Sequence, residues 1–236
     1  MLGSTQHFGR ALQLEIETGH KSAQAATLYA LAEVLIEEDD LKQAREKSDQ
    51  ALALRKDLKR ALPLSGSLLQ SGEISLEEGK PSEAETLAGD ALHQLGATAS
   101  PARSAEAHSV RALALLAENK RSEARDAAQQ AAAFAAKASD RNPQYDAALA
   151  VARVYLASGE FAESRKQLAP ILSQPSKAVS VPYLFEARLT LGEIGLKSGQ
   201  AAIARAQLTS LEKQAREKHF LLIARKAKAL LTASSH

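Results

Sequence analysis

The sequence predicts an all-α solenoid of antiparallel helix hairpins, and three observations lead there. A degenerate block recurs along the chain: Asp39-Asp40-Leu41-Lys42-Gln43-Ala44, Gly79-Lys80-Pro81-Ser82-Glu83-Ala84, Asn119-Lys120-Arg121-Ser122-Glu123-Ala124, Gly159-Glu160-Phe161-Ala162-Glu163-Ser164 and Gly199-Gln200-Ala201-Ala202-Ile203-Ala204. The closing residues Ala44, Ala84, Ala124, Ser164 and Ala204 stand 40 residues apart without drift, and self-similarity at such a period marks a repeat architecture. Composition agrees, because a chain that is 45% hydrophobic but 4% aromatic, with no Trp, must pack on Ala and Leu, the residues of highest helix propensity. Each block separates two apolar-periodic segments and has the chemistry of a tight turn. Gly, Asp or Asn ends one helix in the left-handed conformation, and an acidic or Ser residue opens the next.

Taken in order, the 236 residues read as one array over 1–236 with no interdomain linker. Residues 1–19 form a half repeat, a helix with Phe8, Ala11, Leu12 and Ile16 on one side that ends near Gly19. Ser4, Phe8 and Ala11 fall in register with Ala84, Ala88 and Ala91, so this is a second helix without its first. Arrays normally end in a polar-faced cap. The expectation is therefore a fragment of a longer protein, or a chain that covers this face by self-association through Phe8, Leu12 and Ile16 as a homodimer.

Five repeats follow, over 25–56, 65–95, 104–138, 144–175 and 183–218. Pro63 precedes the second, Ser100-Pro101 and Asn142-Pro143 open the third and fourth as N-cap with proline at the first helical position, and Pro182 opens the fifth less cleanly. The second helix of repeat three, near 122–138, is rich in Ala and suits a tight crossing. Residues 220–232 make a final amphipathic capping helix with Lys and Arg expected outward, and 233–236 fray.

Superposing the repeats aligns small residues in three columns: Ala32, Gly72, Ala112, Ala152 and Gly192; then Ala44, Ala84, Ala124, Ser164 and Ala204; then Ala51, Ala91 and Ala131, with Ile171 and Leu211 departing. This pattern resembles the tetratricopeptide repeat, and the resemblance implies a right-handed superhelix. The 40-residue period exceeds the usual 34 and is similar to extended variants in bacterial regulators and motor light chains. Six more residues lengthen the helices by roughly 9 Å in total. The large residue before the first small one is Leu31, Val151 and Leu191, but Ser71 and Arg111 elsewhere, two places expected to pack loosely. The last stretch, from Glu186 through Ala227, also resembles the C-terminal end of such regions in large bacterial regulatory proteins.

With no Cys there is no disulfide, thiolate metal site or Cys nucleophile, which suits a cytoplasmic setting. No run approaches the roughly 20 apolar residues of a membrane span, so no membrane is expected. His7, His20, His93, His108, His219 and His236 lack metal-ligand spacing, and the glycines of 192–199 are not placed as a phosphate loop. No cofactor, metal or catalytic residue is expected, and the reading is not an enzyme. The net charge of +2 gives nucleic acid little to hold; the basic residues from Ala201 onward, seven Lys or Arg against two Glu, read as a solvated helix face.

The resemblance implies that the first helices line a concave groove. Its positions here are Tyr29, Glu33, Glu37, Gln70, Glu73, Glu77, Leu113, Arg153, Glu193 and Lys197, acidic toward the front. Glu33 and Glu73 stand where the family's carboxylate clamp has Asn, so a C-terminal carboxylate is not the expected ligand. A protein or peptide ligand of basic character is. The column Ile36, Leu76, Leu116, Leu156 and Leu196 is assigned to interhelix core, with groove floor as the alternative. The function expected is a protein-interaction scaffold binding a peptide or helical segment in the groove.

Overall fold

The computed structural model describes residues 2–96, 100–174 and 179–234. Among them lie twelve helices: α1 Leu2–Glu17, α2 Lys21–Glu37, α3 Leu41–Leu58, α4 Ala61–Glu77, α5 Pro81–Leu95, α6 Pro101–Ala117, α7 Arg121–Ala135, α8 Asn142–Ala157, α9 Phe161–Leu172, α10 Val181–Lys197, α11 Ala201–Glu217 and α12 Leu221–Ala233. The expected start at residue 1, the fourth-repeat end at 175 and the fraying tip at 235–236 lie outside the described residues.

The hairpin turns repeat one chemical device. Asp39, Gly79, Asn119, Gly159 and Gly199 all have φ between 62° and 81°, the left-handed conformation that Gly tolerates freely and Asn or Asp tolerate best among the rest. The next residue's N–H closes back onto the first helix: Asp40 N to Leu35 O, Lys80 N to Ser75 O, Lys120 N to Leu115 O, Glu160 N to Tyr155 O and Gln200 N to Gly195 O, all 2.8–2.9 Å. That bond satisfies a carbonyl the helix end would otherwise leave open. Side-chain caps are rarer than the sequence suggests. Asp40 accepts from Gln43 N at 3.1 Å, but Ser100 makes no side-chain cap bond, and Asn142 lies inside α8 behind Arg141. Pro63 falls within the first turn of α4, where its missing N–H costs nothing.

Each helix packs on the next, and the small columns are the crossing points. Ala32, Ala112 and Ala152 have no exposed surface, and neither do Ala44, Ala84, Ala124 and Ser164; Ala204 has 1%. Ser164 Oγ donates to Ala152 O across its hairpin at 2.7 Å. In α7, Ala124, Ala127, Ala128, Ala131 and Ala135 are buried, as expected of a close crossing. The two sites expected to pack loosely are filled by polar groups. Ser71 is buried against Ser48 with their Oγ atoms 3.1 Å apart, beside Arg45, which bridges Ser75 Oγ and Glu78. Arg111 is half-buried and approaches Glu85 at 3.8 Å.

The solenoid curls until its ends meet. Arg225 Nε of α12 donates to Asp39 Oδ2 at 2.7 Å, and Lys226 Nζ donates to Glu77 Oε1 at 2.6 Å and Glu186 Oε1 at 3.4 Å. This corrects the outward placement of the cations on α12: Lys228 faces solvent, but Arg225 and Lys226 reach across to the front of the array. The reason is register, since Lys226 stands 40 residues after Glu186 and so occupies an inward-facing column. Among the described residues, no helix is long and apolar enough to cross a membrane.

Candidate functional site: the concave chamber

The curl shapes a chamber of about 530 Å³ that opens to solvent. Every residue lining it comes from the even-numbered helices α2 to α12, the first helices of the hairpins. Of the groove positions derived from register, Glu73, Glu77, Leu113, Arg153, Glu193 and Lys197 line it. Tyr29, Glu33 and Glu37 lie on α2 outside that lining. Gln70 is 1% exposed; its Nε2 donates to Tyr29 O at 2.9 Å, which makes it a tie between α2 and α4 rather than a surface group. Leu156 is buried in the interhelix core, and Ile36, Leu76 and Leu116 pack against that core, as assigned; the same four also border the chamber, while Leu196 packs in the α10–α12 core. Of the self-association residues on α1, Ile16 is 60% exposed, and Phe8 and Leu12 on the same face are half-buried; Leu14, at 61%, lies on the opposite side of the helix.

Sequence reasoning missed Glu106, Asp146 and Glu186, which line the chamber one and a half turns before the small column. Their signal was available, as three acidic residues spaced by the same 40 residues. With them the wall carries six carboxylates against three cations, Arg153, Lys197 and Lys226. The cations are spoken for. Arg153 donates to Glu186 at 2.7 Å, Lys197 pairs with Glu193 at 2.8 Å, and Lys226 spans Glu77 and Glu186. Burial works to raise the Glu186 carboxyl, but Lys226 and Arg153 overcome it and hold it at about 2.

The remaining carboxylates have weaker compensation. Glu106 accepts from Arg103 at 2.6 Å, and Asp146 accepts from the Tyr183 hydroxyl at 3.2 Å. Glu73 projects into the chamber's solvent, yet protein walls surround it and displace much of the water an open surface would offer. That partial desolvation, then the nearby Glu106, Asp146 and Glu33 charges, push its carboxyl up to about 8. Burial, and then Glu106, raise Asp146 to about 7 against the Tyr183 hydrogen bond. Burial also raises Glu106 and Glu33, and it raises Glu37 to about 7 with the help of Glu33. The Tyr29 ring, on the α2 flank, lies 4.5 Å under the Arg55 guanidinium. Such an arrangement places carboxyl groups that burial and one another's charge hold largely protonated near neutral pH, and that a bound cation would ionise, beside an apolar wall of Leu76, Leu113, Leu116, Leu149, Leu156 and Leu222. Among the described residues no group of three His, Asp or Glu is placed to hold a metal ion.

No family model and no curated protein matches this chain. Solved structures do. BtubC (BKLC) from P. vanneervenii superposes at a TM-score of 0.62 with 14% identity, over 92% of this chain and 89% of that one. A Rap protein complexed with Competence and Sporulation Factor gives 0.61 and 15%, over 90% of this chain and 63% of that one. A putative kinesin light chain from Podosopora anserina with nearly identical TPR-like repeats gives 0.53 and 20%, over 84% of this chain and 98% of that one. The chain has the tetratricopeptide-like fold, a helical solenoid of repeated hairpins.

Proposed function

We propose that this protein is an interaction scaffold whose chamber takes a protein or peptide segment carrying a basic side chain among apolar ones. One observation carries the reading: carboxylates in excess of cations share a concave wall with leucines. A cation there favours the ionised forms of Glu73 and Asp146 that burial and neighbouring charge otherwise disfavour, and apolar neighbours cover the leucines. Complementary potentials also speed encounter. That a Rap protein of similar fold was solved complexed with Competence and Sporulation Factor supports a binding role for the fold here.

The test is fluorescence anisotropy with a labelled, end-blocked peptide alternating Leu and Lys, beside its Leu–Glu counterpart. The Lys peptide binds at least about tenfold more tightly. Replacing Glu73→Gln together with Asp146→Asn removes most of that preference while leaving the helical content unchanged. Equal binding of the two peptides overturns the reading.

A second reading, pairing of two copies through α1, is favoured by the exposure of Ile16, on the face of half-buried Phe8 and Leu12, in a helix that packs only on α2 among the described residues. Light-scattering mass that rises with concentration in the native chain, but not in Ile16→Glu, supports it. A constant native mass overturns it.

A further inference from the structure

We infer that α12 is an electrostatic clasp, shut by Arg225 and Lys226 on the front of the solenoid, and that the chamber is complete for a ligand only while the clasp is shut. The inference rests on the chamber being the binding site proposed above.

The two sides of α12 are held differently. On one side Ile223, Ala224 and Ala227 are buried with Leu211 and Ala215 of α11, an ordinary apolar crossing. On the other, α12 meets α2 only slightly, and ion pairs make the connection. Arg225 pairs with Asp39 at 2.7 Å and lies 3.8 Å from Glu77; Lys226 pins Glu77 of α4 and Glu186 of α10 with one ammonium. These pairs join residues 186 and 149 positions apart. They can therefore release while α12 stays folded on α11.

The residue choices at the front of the array suit this contact. The left-handed turn position is Gly or Asn in four hairpins, but in the first it is Asp39, whose carboxylate meets Arg225. The column of Glu77 is acidic at Glu37 and Glu77, then becomes Ala117, Ala157 and Lys197 farther along. Opposite charge is thus concentrated on the two edges that meet. Leu222 and Lys226 enter the chamber wall opposite Leu76 and Glu77 only when those edges are together. A ligand touching both edges binds the shut form better and so favours it. Ion pairs of partly exposed groups weaken with salt, because the screening length falls from about 10 Å at 0.1 M to about 3 Å at 1 M.

Lys226 lines the chamber itself, so Arg225, which does not, isolates the clasp. The chain contains no Cys, so Lys42→Cys and Lys228→Cys, both exposed positions, accept spin labels for a pulsed electron-resonance distance. At about 0.05 M salt the native chain gives one short distance, which lengthens and broadens toward about 1 M. Arg225→Glu, which sets like charges against Asp39 and Glu77, opens at lower salt, and Arg225→Lys behaves as native. The Leu–Lys peptide binds Arg225→Glu at least about threefold more weakly and restores the short distance to the native chain at high salt. A distance insensitive to both salt and Arg225→Glu overturns the clasp. A salt-responsive distance with equal peptide affinity for native and Arg225→Glu overturns its coupling to the chamber. Failure of the peptide to bind the native chain defeats the proposed function and the coupling with it, while the salt response still decides the clasp.

Discussion

Gly192→Ala tests whether the small columns are true crossing points. A Cβ built at Gly192 would stand 2.5 Å from Leu208 Cδ2 and 2.6 Å from its Cγ. Leu208 is fully buried in the core that also holds Phe185, Leu211 and Ile223, so its branch point cannot swing clear without moving neighbours. Overpacking of this kind costs about 1–3 kcal/mol, against about 1 kcal/mol gained from the better helix propensity of Ala. The net expectation is no stabilisation, with a loss of up to about 2 kcal/mol, or up to several degrees in melting temperature. Gly89, on the exposed face of α5, provides the control, because an added Cβ there meets nothing within 4 Å. Gly89→Ala therefore stabilises by about 1 kcal/mol. Urea midpoints read the difference, and hydrogen exchange localises it to α10 and α11. Adding Leu208→Val to Gly192→Ala should recover part of the loss, a coupling that a double-mutant cycle isolates. If Gly192→Ala stabilises as much as Gly89→Ala, the crossing is not where the structure puts it.

Three further perturbations test the electrostatics and the polar core. Glu73 has a folded-state carboxyl raised to about 8, so the folded protein holds a proton that the unfolded chain has lost. Its contribution makes stability fall as pH rises from about 4.5 to about 8, and Glu73→Gln should flatten that decline in melts taken at pH 5, 7 and 9. Glu186 is the opposite case: with its carboxyl held at about 2, it contributes about 2–3 kcal/mol above pH 4.5 that is lost toward pH 2, and Glu186→Gln should remove that acid sensitivity. Truncating Arg45 with Arg45→Ala removes the charge-assisted bonds to Glu78 and Ser75 across the α3–α4 seam, leaving Glu78 with Lys80 and Ser75 with the Ser71 carbonyl, and a loss of about 1–2 kcal/mol in denaturant unfolding is expected; no loss would mean that Ser48 and Ser71 hold the seam without it.

The architecture was legible because the same 40 residues repeat the same chemistry. A turn residue in the left-handed conformation and small residues at the crossings need nothing from distant sequence, so Gly79, Asn119 and Ala124 could be read locally. The chamber was only partly legible. Register put Glu73, Leu113 and Arg153 on its wall, but stopping the column too soon omitted Glu106, Asp146 and Glu186. Gln70 misled because an inward column does not say whether a side chain reaches solvent or, as here, a neighbouring helix's carbonyl. Ring closure was not legible at all. It depends on curvature accumulated over five hairpins, which no local pattern encodes, and so Arg225 and Lys226 read as ordinary solvated charges.

The most direct measurement is methyl NMR of leucine-labelled protein titrated with the Leu–Lys peptide. Leu76, Leu113, Leu116, Leu149 and Leu156 line the chamber, while Leu14 and Leu62, at 61% and 50% exposed, report the outside. A saturable shift of the chamber leucines, with Leu14 and Leu62 unmoved, is the predicted result. Saturable shifts at Leu14 or Leu62 with the chamber leucines unchanged would place binding elsewhere and contradict the chamber as the site.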